Sequence, residues 1–331
     1  MADVYITSED DFLSCINTAF PNTHESLILG RGDDCAEIAC PESMAVSTDL
    51  FVEDVHFRRT YFTPEEIGYK ALAVNISDIA AAGGHPLGIS VGLVIPTPFT
   101  RTDAEGIISG MKKAVEKHGL ALTGGDLSRG DKLTFCVTIW GSPEQGAPFL
   151  RRGPVTPGDI LFVYGGIGLA KTGLTLLERH GRDAIKKFPA ACAAHLMPTP
   201  QIAAGKALSA IPGCRVMDVS DGLARDLPRM LKAYKTNCGA TISLSPDVLH
   251  PEVLSFCGNS GSDPVSFAFD GGEDYALLGC CPEKAYQTVA NRLKKLSPNA
   301  PLLQLGVVTQ QPGIIVNDIP LTGKGFDHFH H

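Results

Sequence analysis

Positive charge is in short supply: 28 Lys and Arg stand against 36 Asp and Glu, for a formal net charge of −8. That balance argues against a nucleic-acid binder, which meets phosphates with a basic face. Long apolar runs are missing too, since none approaches the ~20 residues that span a bilayer. The opening "MADVYITSEDDF" has neither the basic start nor the apolar centre of a secretory signal. None of the ten cysteines falls into a C-x-x-C pair, so neither a zinc site nor a disulfide framework is indicated. They read as buried thiols in a reducing cytoplasm. There is no solenoid-type repeat and no low-complexity tract.

What is present is a 44% hydrophobic chain of 331 residues, enough for about two packed domains. The stretch "GSPEQGAPFLRRGPVTPG", residues 141–158, holds four glycines and four prolines and sustains neither a helix nor a central strand. It marks the boundary between domains at 1–148 and 149–331. On both sides, apolar runs of strand length alternate with helical segments, which predicts α/β or α+β architecture. One helix is well marked: Thr63 as N-cap, Pro64 at the first position, Glu66 to complete a capping box, and Gly83-Gly84 to stop it. Its body is apolar on nearly every side, which predicts burial, and it carries Asn75 and Asp78 on one face.

A pattern recurs along the chain: an apolar run, then Ser, Thr or Gly, then Asp. It ends at Asp49 in "MAVSTD", Asp78 in "ALAVNISD", Asp126 in "LALTGGD" and Asp221 in "RVMDVSD". Most of these are expected at strand ends, where open α/β sheets bind ligands. Each Asp alone is as well explained as a helix N-cap or turn residue. Taken jointly with Asp34 of "GRGDDCAEIA", and with no Cys/His cluster beside them, they suit a hard cation such as Mg²⁺ shared with nucleotide phosphate. In an extended segment Asp33 and Asp34 would point to opposite faces, so both should not reach one metal. "YGGIGLAKTGL" nearly matches a Walker A loop, but Ala170 replaces the glycine before Lys171-Thr172, and the local sequence leaves this open. In "FDGGEDYALL", Glu273 and Asp274 are either solvated loop charges or groups that meet a ligand, the flanking glycines permitting close approach.

Together "GDDCA", "STDLFVEDVHF", "GYKALAVNISDIAAAGG", "LTGGDLSRG", "DVSDGLARDL", "GGEDYALL" and "GKGFDHF" resemble the thiamine-monophosphate kinase family. That family lies within the superfamily of aminoimidazole ribonucleotide synthetase and selenophosphate synthetase. The resemblance runs in order from about residue 30 to residue 329. It implies an N-terminal α/β domain that binds ATP and Mg²⁺ and whose sheet joins a second copy's in a homodimer, followed by a C-terminal α/β domain. It also implies transfer of the γ-phosphoryl group of ATP to thiamine monophosphate, with several Mg²⁺ ions, no nucleic-acid or membrane partner, and a cytoplasmic location.

Carried over by position, the resemblance makes Asp34, Thr48, Asp49, Asp78, Asp126 and Asp221 magnesium ligands, with Ser47 and Asp218 as further candidates. Asp49, Asp78 and Asp126 would be central to catalysis. Gly125, Asp126, Arg152 and Ser220 would contact ATP, and His56, Glu273 and Phe326 would hold the thiamine phosphate. His56 also reads as a structural histidine and Phe326 as a core residue. In the family the glycine-rich loop is not a Walker loop, so Lys171 takes no role, and neither do His330 and His331. This chain departs from the family pattern at "SEDDFL", at Leu169 and at Arg31. Rival readings are another ATP-using member of the superfamily or a non-catalytic nucleotide-binding module. The first lacks support from a reactive cysteine in residues 1–29, where only Cys15 occurs, or from a cysteine-bearing tail; the second is opposed by the retained Asp set.

Overall fold

The computed structural model describes residues 4–327. His328, Phe329, His330 and His331, and with them the end of the "GKGFDHF" motif, lie outside the described residues. The chain divides into two compact units. The first runs to Ile79 and resumes over His85–Pro143; the second holds Ala80–Gly84 and the chain from Glu144 onward. The second unit therefore resumes at Glu144, inside the glycine- and proline-rich stretch. Among the described residues no helix is long and apolar enough to cross a membrane.

In the first unit α1 (Glu9–Ala19) is followed by a small ladder of β1 (Leu27–Leu29) and β2 (Glu37–Ile38). Then come β3 (Ala45–Val52), α2 (Pro64–Ala81), β4 (Gly84–Ile95), α3 (Arg101–His118), β5 (Ala121–Arg129) and β6 (Thr134–Pro143). These strands form a four-stranded sheet in the order β3-β6-β4-β5, antiparallel between β3 and β6 and parallel between β4 and β5. The start of α2 is the expected capping box: Thr63 Oγ1 accepts from the Glu66 N–H at 3.2 Å, and Glu66 Oε2 accepts from the Thr63 N–H at 2.8 Å. Two donors that no helical carbonyl can reach are thereby satisfied. The helix is buried nearly all round, including Lys70, Asn75 and Ser77. It approaches α3 closely because glycines stand at the contact: a Cβ on Gly68 would come within 2.0 Å of the Ile107 carbonyl, and one on Gly110 within 1.9 Å of the Glu65 carbonyl. Phe51, Phe57, Phe135 and Ile89 are fully buried in the same unit.

The second unit contains β7 (Ile160–Tyr164), α4 (Leu169–His180), α5 (Pro189–Leu196), α6 (Ile202–Ser209), β8 (Arg215–Asp218), α7 (Leu223–Leu231) and β9 (Gly239–Ile242). It continues through α8 (Pro251–Ser260), α9 (Pro264–Phe269), β10 (Leu277–Cys281), α10 (Glu283–Leu296), β11 (Leu302–Thr309), β12 (Ile314–Val316) and β13 (Ile319–Pro320). Its seven strands lie in the order β13-β12-β9-β11-β7-β10-β8, antiparallel except for β9 with β12. β7 and β10 are apolar at every position and fully covered, and Phe162, Val216, Leu277, Leu208, Val289 and Leu293 share one core cluster.

Two expectations are corrected here. Asp49 lies inside β3 and Asp126 inside β5 rather than at strand ends, whereas Asp78 lies on α2 and Asp221 just after β8, in the turn before α7, as expected. An apolar run followed by an acid does not end a strand when neighbouring strands go on supplying backbone partners. The cysteines are unbridged, as expected, yet Cys35, Cys40 and Cys136 are exposed rather than buried.

Candidate functional site

Strand alternation sorts the candidates of the first unit. β3 pairs Ser47 with Ile139 and Asp49 with Val137, and Ser47 faces α2, where its Oγ donates to Asp78 Oδ2 at 2.5 Å. Thr48 points the other way, its hydroxyl 2.9 Å from that of Thr138 on β6. Its side chain therefore points away from Ser47 and Asp78. Asp126 is exposed on β5 directly after Gly125. Gly125 has a φ of +158°, and a Cβ there would meet the Val91 carbonyl at 1.9 Å, so β5 reaches Asp126 only through glycine.

The "GDD" segment is a run of bends, not an extended strand. Asp33 and Asp34 are nevertheless set apart: Asp33 Oδ1 accepts the Asp34 N–H at 2.8 Å, so the first carboxylate shapes the turn. Arg31, the departure before it, donates to the carbonyls of Leu122 at 2.7 Å, Phe20 at 2.9 Å and Pro21 at 3.3 Å. It ties the turn to the end of α1 and to β5 just ahead of Gly125. His56 follows β3; its Nδ1 accepts the Val52 N–H at 3.0 Å, which puts the proton of the neutral ring on Nε2, and the ring stacks on Phe51 with centroids 5.8 Å apart.

In the second unit Ser220 and Asp221 form the turn from β8 to α7. Asp226, fully buried on the first turn of α7, accepts both their N–H groups at 3.0 Å through Oδ2. Arg229 donates to Asp226 Oδ1 at 2.9 Å and to Asp221 Oδ2 at 2.7 Å. Burial raises the Asp226 carboxyl to about 6, the Arg229 charge working against it. Two further segments dock on this turn. The N–H of Glu273 donates to the Ser220 carbonyl at 2.7 Å, and that of Phe326 to the Asp221 carbonyl at 2.9 Å. Ser220, Asp221, Glu273 and Phe326 are thus joined, though the first and last lie 106 positions apart. Phe326 is 44% exposed, which rules out the plain core reading. Arg152 is exposed in the segment before β7.

The acidic pair after Gly272 is not a solvated turn. Asp274 accepts the N–H of Gly168 at 2.6 Å and of Ala170 at 2.9 Å, capping α4, and burial pushes its carboxyl up to about 7. This is what disqualifies the Walker-like loop: the amides that would cradle a phosphate already hold a carboxylate of the chain. Lys171 lies over the Phe267 ring, 4.6 Å from its centroid, and burial lowers its pKa. Glu273 meets His195, buried on α5, with Oε2 2.9 Å from Nδ1. Asp226, Asp274 and His195 went unassigned in the sequence. Asp226 sits in the quoted "DGLARDL" and Asp274 in "GGEDY", but nothing local distinguishes His195.

Among the described residues no group of three or more His, Cys, Asp and Glu side chains stands close enough to hold a metal ion. Asp34, Asp49, Asp78 and Asp126 belong to the first unit, Asp218 and Asp221 to the second.

The AIR synthase related protein, N-terminal domain, family matches residues 32–142, and its C-terminal domain counterpart matches residues 156–319. The thiamine-monophosphate kinase of Bacillus subtilis is 33% identical over 332 aligned positions, covering 96% of this chain and 99% of that protein. The solved thiamine-monophosphate kinase of Stenotrophomonas maltophilia superposes with a TM-score of 0.79 at 27% identity, covering 96% and 99% of the two chains. The structure of AaThiL complexed with AMPPCP and TMP does so with a TM-score of 0.75 at 27% identity, covering 97% of each. The two-domain architecture is therefore that of the AIR synthase related proteins, and the chain belongs to their thiamine-monophosphate kinase family.

Proposed function

We propose that this chain transfers the γ-phosphoryl group of ATP to the phosphate of thiamine monophosphate, giving thiamine diphosphate. The observation that carries this reading is the likeness to thiamine-monophosphate kinases over 96% of this chain and 99% of the relative. The quoted motifs spread over both units, so the likeness does not rest on one domain.

The donors assigned to metal are all oxygen: the carboxylates of Asp34, Asp49, Asp78, Asp126, Asp218 and Asp221, the Ser47 hydroxyl, and Thr48 through its carbonyl. That set fits Mg²⁺, and the hydroxyl and carboxylate of Ser47 and Asp78 are already assembled. Bound Mg²⁺ supplies charge neutralisation for a loose, anionic phosphoryl-transfer transition state. Gly125, Arg152 and Ser220 contact ATP; His56, Glu273 and Phe326 hold the substrate. The half-exposed Phe326 ring offers a face to the cationic thiazolium. The acceptor is a phosphate monoester, ionised near neutral pH, so no strong general base is needed. Transfer is direct and in line, without a phosphorylated enzyme.

The test is ATP-dependent formation of thiamine diphosphate from the monophosphate, with Mg²⁺ and with a chelator. No product despite tight ATP binding would favour a non-catalytic nucleotide-binding module, and stable protein phosphorylation by ATP alone would overturn direct transfer. We further assign the first unit to homodimer formation. Val46 and Leu50 are 58% and 57% exposed on the edge strand β3, an apolar strip suited to a second copy. Leu50→Glu should release monomers in sedimentation analysis. The ten unbridged cysteines support a reducing, cytoplasmic setting.

A further inference from the structure

We propose that His195 is a positioning residue for thiamine monophosphate, acting through Glu273; this rests on the assignment of Glu273 to substrate binding. The backbone of Glu273 is fixed from several directions. It has a φ of 65°, a left-handed conformation that a non-glycine residue holds only under local constraint. Its N–H donates to the Ser220 carbonyl at 2.7 Å, and two residues on, the N–H of Tyr275 donates to the Val219 carbonyl at 2.9 Å. Between them Asp274 grips the N-terminus of α4. This clamping settles where the Glu273 side chain leaves the backbone and leaves its own torsions to be settled.

A glutamate side chain loses substantial rotamer entropy when it is immobilised, so one that must meet a ligand in a single pose gains from an anchor. His195 is that anchor. Its imidazole is 1% exposed, while the Glu273 side chain remains 23% exposed. The histidine therefore cannot reach a substrate, and the carboxylate can be held by the ring at one oxygen while still open to solvent. The short helix α5 that carries His195 is itself fixed, since Glu252 of α8 accepts the N–H groups of Ala190 and Ala191 at 3.2 and 2.8 Å. The orientation of Glu273 is thus passed down to elements remote from the turn at Ser220. Substrate rings carrying positive charge and an amino group are the chemistry such a carboxylate would meet.

The experiment uses the full chain. His195→Phe keeps the ring volume and removes the nitrogen; His195→Asn returns an N–H near the position of Nδ1. Hydrogen bonds to charged groups set the scale of the effect, so His195→Phe should raise KM for thiamine monophosphate by about tenfold or more while leaving KM for ATP unchanged. His195→Asn should recover most of the loss. In a Glu273→Ala background, which removes the acceptor as well as the charge, the His195→Phe change should add nothing further. An unchanged KM for thiamine monophosphate, an equal rise in both KM values, or full additivity with Glu273→Ala would overturn the proposal. A measurement on the unsubstituted protein covers the case in which His195→Phe fails to melt cooperatively. The His195 imidazole nitrogen resonances should move on adding thiamine monophosphate and stay in place with AMPPCP alone, and no movement with thiamine monophosphate would overturn it. Failure of the functional reading shows separately, as an unsubstituted protein that makes no thiamine diphosphate.

Discussion

Ser47 and Asp78 meet at 2.5 Å across β3 and α2, one candidate ligand holding another. Ser220 and Asp221 are held instead by Asp226 and Arg229, and Glu273 by His195, none of which carries an assigned role in substrate or metal binding. The difference follows from backbone geometry. Inside a strand or helix the main chain is already satisfied by its ladder, so a side chain there needs only a neighbour of its own. In the turn from β8 to α7 two N–H groups point at no carbonyl, and a buried carboxylate has to receive them. Acids in the second unit thus divide into those proposed to meet ligands and those that hold the turn. In the first unit Asp33 and Asp34 divide in the same way, the first holding its turn.

The largest effect that would break this comparison is expected from Asp78→Asn. Asparagine keeps an oxygen that can accept from Ser47, so the fold should melt as before. The carboxylate charge is gone, and turnover should fall by at least about a hundredfold, the scale of losing one charge-stabilising group from a transition state. Steady-state kinetics beside a thermal melt checks both halves. Near-normal turnover, or a large drop in melting temperature, would mean that Asp78 supports structure as Asp226 does.

Asp274 should behave in the opposite way, with stability as the readout. Asp274→Ala strips the acceptor from the Gly168 and Ala170 amides at the start of α4 and should cost about 2 kcal/mol, whereas Asp274→Asn retains an acceptor and should cost less. The pH dependence has a definite sign. With its carboxyl raised to about 7 against an ordinary value of 3.8, folded Asp274 keeps a proton that the unfolded chain releases. Its contribution is therefore fully present below pH 3.8 and is lost as pH rises through about 7. Thermal melts from pH 4 to 8 should show a shallower decline in Asp274→Asn than in the parent protein; an equal slope would remove Asp274 from the account.

How much of this was legible in the sequence depended on the reach of each interaction. The capping box of Thr63 and Glu66 could be read because its members are three residues apart and do one local job. The turn-holding role of Asp33 could be read for a similar reason, although the backbone there is bent rather than extended. The ends of β3 and β5 could not, because hydrogen bonding to β6 and β4 carries those strands on through polar residues. The pairing of His195 with Glu273 was out of reach altogether: it joins residues 78 positions apart, and neither flank records the other.

A third, smaller effect separates the adjacent acids. Asp34→Asn should lose more activity than Asp33→Asn, because an asparagine at position 33 can still accept the following N–H through its amide oxygen and preserve the turn. Kinetics on the two variants as a function of Mg²⁺ concentration decides it. The comparison sharpens if only Asp34→Asn needs more Mg²⁺, and it fails if the two are equally impaired.

The smallest effect concerns Arg31, which like the supports of the second unit holds a turn from outside it. It holds no ligand position, yet it joins the Asp34 turn to α1 and β5 through three carbonyls, and its buried Nε has no hydrogen-bond partner. Removing it therefore has two opposing consequences. Arg31→Leu deprives those carbonyls of their donors but also relieves a buried nitrogen that is unsatisfied and a guanidinium whose pKa burial lowers. The net cost should be about 1 kcal/mol in stability, with turnover at saturating Mg²⁺ close to the parent's. A melt and a Mg²⁺ titration on Arg31→Leu measure the two. If the variant loses as much turnover as Asp78→Asn, the Asp34 turn depends on outside support as the β8 to α7 turn does, and the contrast between the units would vanish.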